Sequence, residues 1–154
     1  SNLPADQRPD AGQFLCDGIP WCAADDENNR LYCSRYKGAD RLYVYDLTTL
    51  EFLYELPITG TEPLNRIQGA EVFNGYLYLN IDHATADGEK NRIVGKVDLT
   101  TGAYETAFVR PITGLIDWES EGLTLFEKDG ETYLTITDDD HTVATYIHTY
   151  RIVG

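Results

Sequence analysis

Apolar and polar residues alternate with a period of two through most of this chain, and no stretch carries a 3.6-residue apolar stripe. The alternating runs are rich in Tyr, Val, Ile, Thr and Phe, residues that suit a pleated, half-buried surface. Three kinds of run recur at about 52 residues. The first starts with a polar residue and Gly: "DGIPWCAAD" from Asp17, "QGAEVF" from Gln68 and "EGLTLF" from Glu121. The second is "RLYCSR", "YLYLNID" and "TYLTITDD", and the third is "RLYVYDL", "RIVGKVDL" and "TYIHTYRI". A fourth run occurs twice, as "EFLYELPI" and "AYETAFVRPI", each ending in the same Pro-Ile-Thr-Gly exit.

The punctuation between runs specifies hairpins. Asn74-Gly75 and Asp129-Gly130 are two-residue loops of the type whose backbone twist matches that of the flanking strands. Asp-Leu-Thr-Thr, at 46–49 and again at 98–101, joins third to fourth runs, where the Asp side chain can accept from turn amides. Four antiparallel strands returning at this period predict an all-β chain made of β-propeller blades. The expected division is an N-terminal segment 1–17, blade 1 at 18–58, blade 2 at 67–110 and blade 3 at 119–154.

Closed propellers have typically four to eight blades, and this chain encodes about three. The expectation is a half or partial propeller, completed by a second copy across a two-fold axis or by further chain. Blade 3 ends after its third strand, and residues 12–16, "GQFLC", are a candidate closing strand. Without completion, β edges would stand open, which proteins avoid. Self-association into a dimer, or association with a missing propeller part, is therefore the predicted partnership.

A net charge of −14 turns away nucleic acid and anionic lipid. No apolar run approaches the roughly 20 residues of a membrane span, so no membrane partner is expected. Cys16, Cys22 and Cys33 lack C-x-x-C spacing, which argues against a zinc ribbon. One disulfide with a thiol left over and three buried thiols are both open; strands flanking "DDENN" would set Cys22 opposite Cys33.

Strand order sorts the joints onto two ends. Short turns occupy one end; the other carries the long joints at 34–40, 82–91 and 138–144 and the crossings between blades. On that loop-rich, acidic end lie His83, His141, Asp82, Asp138, Asp140, Trp118, Glu119 and Arg35, the candidate ligand-binding face for a small ligand, glycan or protein. "DDDH" at 138–141 reads mainly as a solvated acidic loop, and His148 as a packed or edge histidine. Asp17, Gln68 and Glu121 precede the repeat glycines and converge on the central channel. There they either ligate a hard cation such as Ca²⁺ or tie down neighbouring backbone.

The stretch "DGIPWCAADDENNRLYCSRYKGADRLYVYDL" resembles the opening blade of the gluconolactonase / senescence-marker-protein superfamily of six-bladed propellers. That resemblance implies Asp17 at the family's metal-binding glutamate, with Gln68 or Glu121 at further ligand positions. Here Asp stands for Glu, and Ile19 separates Gly18 from Pro20. Two function classes follow: a non-catalytic binding module, and a Ca²⁺-dependent lactonase-like hydrolase with an axial cation. No nucleophile elbow, phosphate loop or dinucleotide fingerprint marks another chemistry, and no catalytic residue is assigned.

Overall fold

The computed structural model describes residues 18–84, 90–110, 119–139 and 145–152, with backbone only at 83, 84, 90 and 91. Among them all regular structure is β. Strands β1 (Ala23–Asp25), β2 (Arg30–Cys33), β3 (Arg41–Asp46) and β4 (Phe52–Pro57) form the first sheet, in chain order and antiparallel. The second sheet is β5 (Ile67–Phe73), β6 (Tyr76–Ala84), β7 (Lys90–Asp98) and β8 (Tyr104–Arg110), again in order. The third holds β9 (Glu119–Lys128), β10 (Glu131–Asp139) and β11 (Thr145–Ile152). The proposed closing strand at 12–16 lies outside the described residues.

Local chemistry explains the repeat. Asn74 and Gly75 hold φ of 50° and 78°, and Asp129 and Gly130 hold 54° and 77°, the paired positive values these hairpins need. Asp46 Oδ1 accepts from the amides of Thr48 and Thr49 at 2.9 and 2.8 Å. Asp98 Oδ1 does the same for Thr100 and Thr101, at 2.8 Å each. The two Asp-Leu-Thr-Thr segments are one turn used twice.

The sheets face one another and share a hub formed by their first strands, β1 beside β5 and β5 beside β9. Gly69 shows why that hub needs glycine: a Cβ there would stand 2.9 Å from the Glu121 carbonyl oxygen. The residue before it is displaced by a bulge. Ile67 pairs with Ile81 and Gly69 with Asn80, leaving Gln68 as the extra residue. Ser120 pairs with Asp138 and Gly122 with Thr137, leaving Glu121 in the equivalent place. At the rim the exit from β4 is stitched to the next sheet, with Thr59 N donating to Gly102 O and Tyr104 N to Thr59 O, both at 2.9 Å.

Two cores fill the spaces between sheets. Leu42, Val44, Ile67, Leu77, Leu79, Ile81 and Val97 pack the first with the second. Val94, Leu125, Leu134 and Ile136 pack the second with the third, backed by Tyr78, Phe108 and Tyr150. The second interface differs in one respect: toward the loop-rich end its apolar layer gives way to buried charge.

Candidate functional site

The charge arises from strand register. Asp82 on β6 stands opposite Arg92 on β7, and Arg92 stands opposite Arg110 on β8. In the third sheet Asp138 on β10 stands opposite Ser120 on β9. Asp82, Arg92, Asp138 and Ser120 are wholly buried, and Arg110 nearly so. The sequence pattern puts Asp82 and Asp138 in loops; both lie inside strands, because β6 and β10 run further than their apolar alternation.

The geometry is a chain of ion pairs. Arg92 Nε lies 3.0 Å from Asp82 Oδ1, and its Nη1 lies 3.7 Å from Asp138 Oδ1. Arg110 grips Asp138 with both terminal nitrogens, Nη1 reaching Oδ1 at 2.9 Å and Nη2 meeting Oδ2. Arg110 Nη1 also donates to Ser120 Oγ at 2.8 Å, and Ser120 passes its proton side to Asn80 Oδ1 at 2.9 Å. His148 Nδ1 stands 2.7 Å from Asp138 Oδ2. The solvated-loop reading of Asp138 is thus replaced by a carboxylate anchoring two sheets. His148 is its partner, not merely an edge residue.

Arg66 brings in the loop between β2 and β3. Its amide donates to Tyr36 O at 2.7 Å, and its carbonyl accepts from Asp82 N at 2.9 Å. It does so at φ 60°, left-handed backbone that a non-glycine residue adopts only where its surroundings hold it. Its side chain donates to Asp82 Oδ2 at 2.9 Å and reaches Glu119 Oε1 at 3.5 Å. One residue therefore joins the β2–β3 loop to the second and third sheets.

Electrostatics follow from burial and pairing. Burial disfavours ionised Asp138, yet the Arg110 hydrogen bonds and charge, with His148, hold its carboxyl below the usual range. Burial likewise works against the Arg110 cation, and Asp138 more than restores it. For Arg92 burial wins over Asp82 and Asp138, and its pKa is lowered. Hydrogen bonding explains the contrast: among the described residues Arg92 Nη1 and Nη2, Asn80 Nδ2 and Arg66 Nε have no hydrogen-bond partner, and Arg92 Nε meets Asp82 Oδ1 at 3.0 Å out of hydrogen-bond alignment. Each such buried group costs about 1–3 kcal/mol. A charged interior of this kind is often less stable than apolar packing of the same volume.

Of the expected ligand-face residues, Asp82, Asp138 and Glu119 join this cluster. Arg35 is half-buried elsewhere on that end. Asp17, Trp118, Asp140 and His141 lie outside the described residues, as does the His83 side chain. Gln68 is half-buried and Glu121 exposed at their bulges. Among the described residues no group of three or more His, Cys, Asp or Glu is placed to hold a metal. The two buried carboxylates already face arginines, which repel a cation. Arg92 and Arg110 went unnoticed in the sequence; their signal is parity, since Arg110 shares strand phase with the core residue Phe108.

No family model matches the chain, and no curated protein matches it in sequence. Solved structures do. Myxococcus xanthus glutaminyl cyclase superposes with a TM-score of 0.52 at 15% identity, over 92% of this chain and 58% of that one. These sheets are β-propeller blades. Saccharomyces cerevisiae Sqt1 is similar at TM-score 0.49 and 12% identity, over 96% of this chain and 34% of that one. The β-propeller domain of Myceliophteria thermophila Cps50 (Swd1) gives 0.45 and 12%, over 87% and 39%. At these identities the likeness concerns the fold. The blades also span less than two thirds of each of these neighbours. No helix among the described residues is long and apolar enough to cross a membrane.

Proposed function

We propose that these blades are a ligand-binding module whose recognition surface is the loop-rich end, centred on the cluster between the second and third sheets. The observation carrying this reading is Arg66. A strained backbone ties it to the β2–β3 loop and to β6, and aims a part-exposed cation at a buried, under-bonded charge network between the second and third sheets. Equivalent positions between the first and second sheets are apolar, so the fold does not require charge there. Titrating ¹⁵N-labelled chain with small-molecule and glycan libraries tests it. Binders should shift the amides of Arg66, Asp82, Arg92 and Ser120. Shifts confined to the opposite turns at 48–50 and 100–102 would sink the reading.

The same proposal includes self-association. Phe126 and Tyr133, stacked 5.5 Å apart, share the outward face of the third sheet with Ile147, which is 71% exposed. A further blade would cover that face. Light scattering should report a dimer or larger, broken by Ile147→Glu; a monodisperse monomer at crystallographic concentration contradicts it. The lactonase-like alternative rests on the superfamily resemblance and on Asp17, with Gln68 and Glu121. It predicts calcium-dependent thermal stabilisation that Asp17→Ala and Glu121→Ala abolish, and a shift unchanged in both removes the axial site.

A further inference from the structure

We infer that the cluster is an oxyanion subsite, in which buried Arg92, with Asn80 and Arg66 beside it, receives a carboxylate, phosphate or sulfate group of the ligand. This deepens the binding reading above and rests on it. The hydrogen-bond inventory is lopsided. Among the described residues, four buried donors have neither a hydrogen-bond partner nor an acceptor at contact (Arg66 Nε, Asn80 Nδ2, and Arg92 Nη1 and Nη2), while Arg92 Nε and Asp82 Oδ1 face each other at 3.0 Å.

These atoms are gathered, not scattered. Asn80 and Asp82 project from the same side of β6, Arg92 faces Asp82 in register, and the Arg66 side chain rests on Asp82. The neighbouring carboxylates are already engaged: both Asp138 oxygens by Arg110 and His148, Asp82 Oδ2 by Arg66 and Asp82 Oδ1 by Arg92 Nε, with Arg92 Nη1 no nearer than 3.7 Å to Asp138 Oδ1. Native interiors pair nearly all their polar atoms. Water is a poor match, because each molecule brings donors as well as acceptors, and the carboxylate oxygens beside these donors are already paired. An oxyanion brings acceptors alone, and a planar guanidinium fork suits it.

Arg92 and Asn80 are wholly buried, so an oxyanion enters from the rim by displacing the side chains that cover them. Arg66, Glu119 and His148 side chains are 30, 31 and 40% exposed, and the Arg66–Glu119 contact of 3.5 Å is among the longest in the network. The net charge of −14 repels anions at a distance. Selection therefore operates at contact, and moderate salt, by screening that repulsion, favours association.

The test is thermal unfolding of the whole chain in sodium phosphate, sulfate or acetate against sodium chloride at matched ionic strength. A saturable rise of several degrees is expected for at least one oxyanion, and the ranking of phosphate against acetate names the source. Asn80→Asp sets a carboxylate among the free donors. It should raise the chloride midpoint and remove the oxyanion response. No response beyond chloride in the parent chain, or an undiminished response in Asn80→Asp, overturns the assignment. If oxyanions fail while other ligands still shift Arg66 and Ser120, the module reading stands and the oxyanion falls alone.

Discussion

Asp138→Asn removes one charge and keeps the shape, which makes it the sharpest probe of the buried network. Asp138 is wholly buried and accepts from Arg110 twice and from His148, with Arg92 3.7 Å away. The variant leaves Arg92 its pair with Asp82 and takes from Arg110 the carboxylate charge it grips with both terminal nitrogens. Breaking a buried pair costs about 3–5 kcal/mol, since an uncompensated charge stays inside. Glu119→Gln is the control: its side chain is 31% exposed and its ion pair 3.5 Å long, so solvent screening holds the loss below about 1 kcal/mol. Urea unfolding at pH 7 reads both. The pH dependence has a definite sign. A carboxyl held below its ordinary value contributes stability above the unfolded pKa of about 3.9 and loses it as pH falls through the folded one. The parent chain should therefore lose stability on acidification more steeply than Asp138→Asn. A loss under about 1 kcal/mol for Asp138→Asn, or parallel acid profiles, would show that the network does not clamp the sheets.

Gly102→Ala should be far more damaging than Gly75→Ala. Both glycines hold positive φ, but a Cβ at Gly102 would meet Pro57 O at 2.0 Å, whereas Gly75 has open space. The expected cost at Gly75 is the left-handed strain alone, about 1–2 kcal/mol, and at Gly102 roughly twice that or more; equal midpoints in urea would refute the stitched rim. Leu50 occupies the matching turn position at φ 57° and 53% exposure, so Leu50→Gly should be neutral or stabilising by a few tenths of a kcal/mol. The two described thiols differ sharply: burial, with Cys22 nearby, pushes Cys33 up to about 12, and Cys22 is exposed. Iodoacetamide at pH 8 should label Cys22 well before Cys33, and peptide mass spectrometry showing equal rates would contradict that burial.

The sequence displays the fold because the fold is carried by local, repeated chemistry. Alternation marks the strands, Asn74-Gly75 and Asp129-Gly130 mark hairpins, and Asp46 and Asp98 cap the same turn in two places. Each signal lies within a few residues. The polar residue before each repeat glycine was visible too, and the bulge at Gln68 and Glu121 gives its geometry. The site is hidden for the opposite reason. Whether Asp82 is a loop residue or a buried anchor depends on how far β6 runs, and nothing nearby in sequence marks that limit. The partner of Asp138 is Arg110, which reaches it across a sheet interface and bears no local sign of being charged core. Only register decides it. Arg110 follows Phe108 by two positions, and Phe108 pairs with the core residue Val94, so one reliable core residue on β8 would have placed Arg110 inward. A charge that shares strand phase with an aromatic core residue is therefore worth flagging even where it looks like the end of a strand. In this chain that rule finds the arginine on which the interface turns.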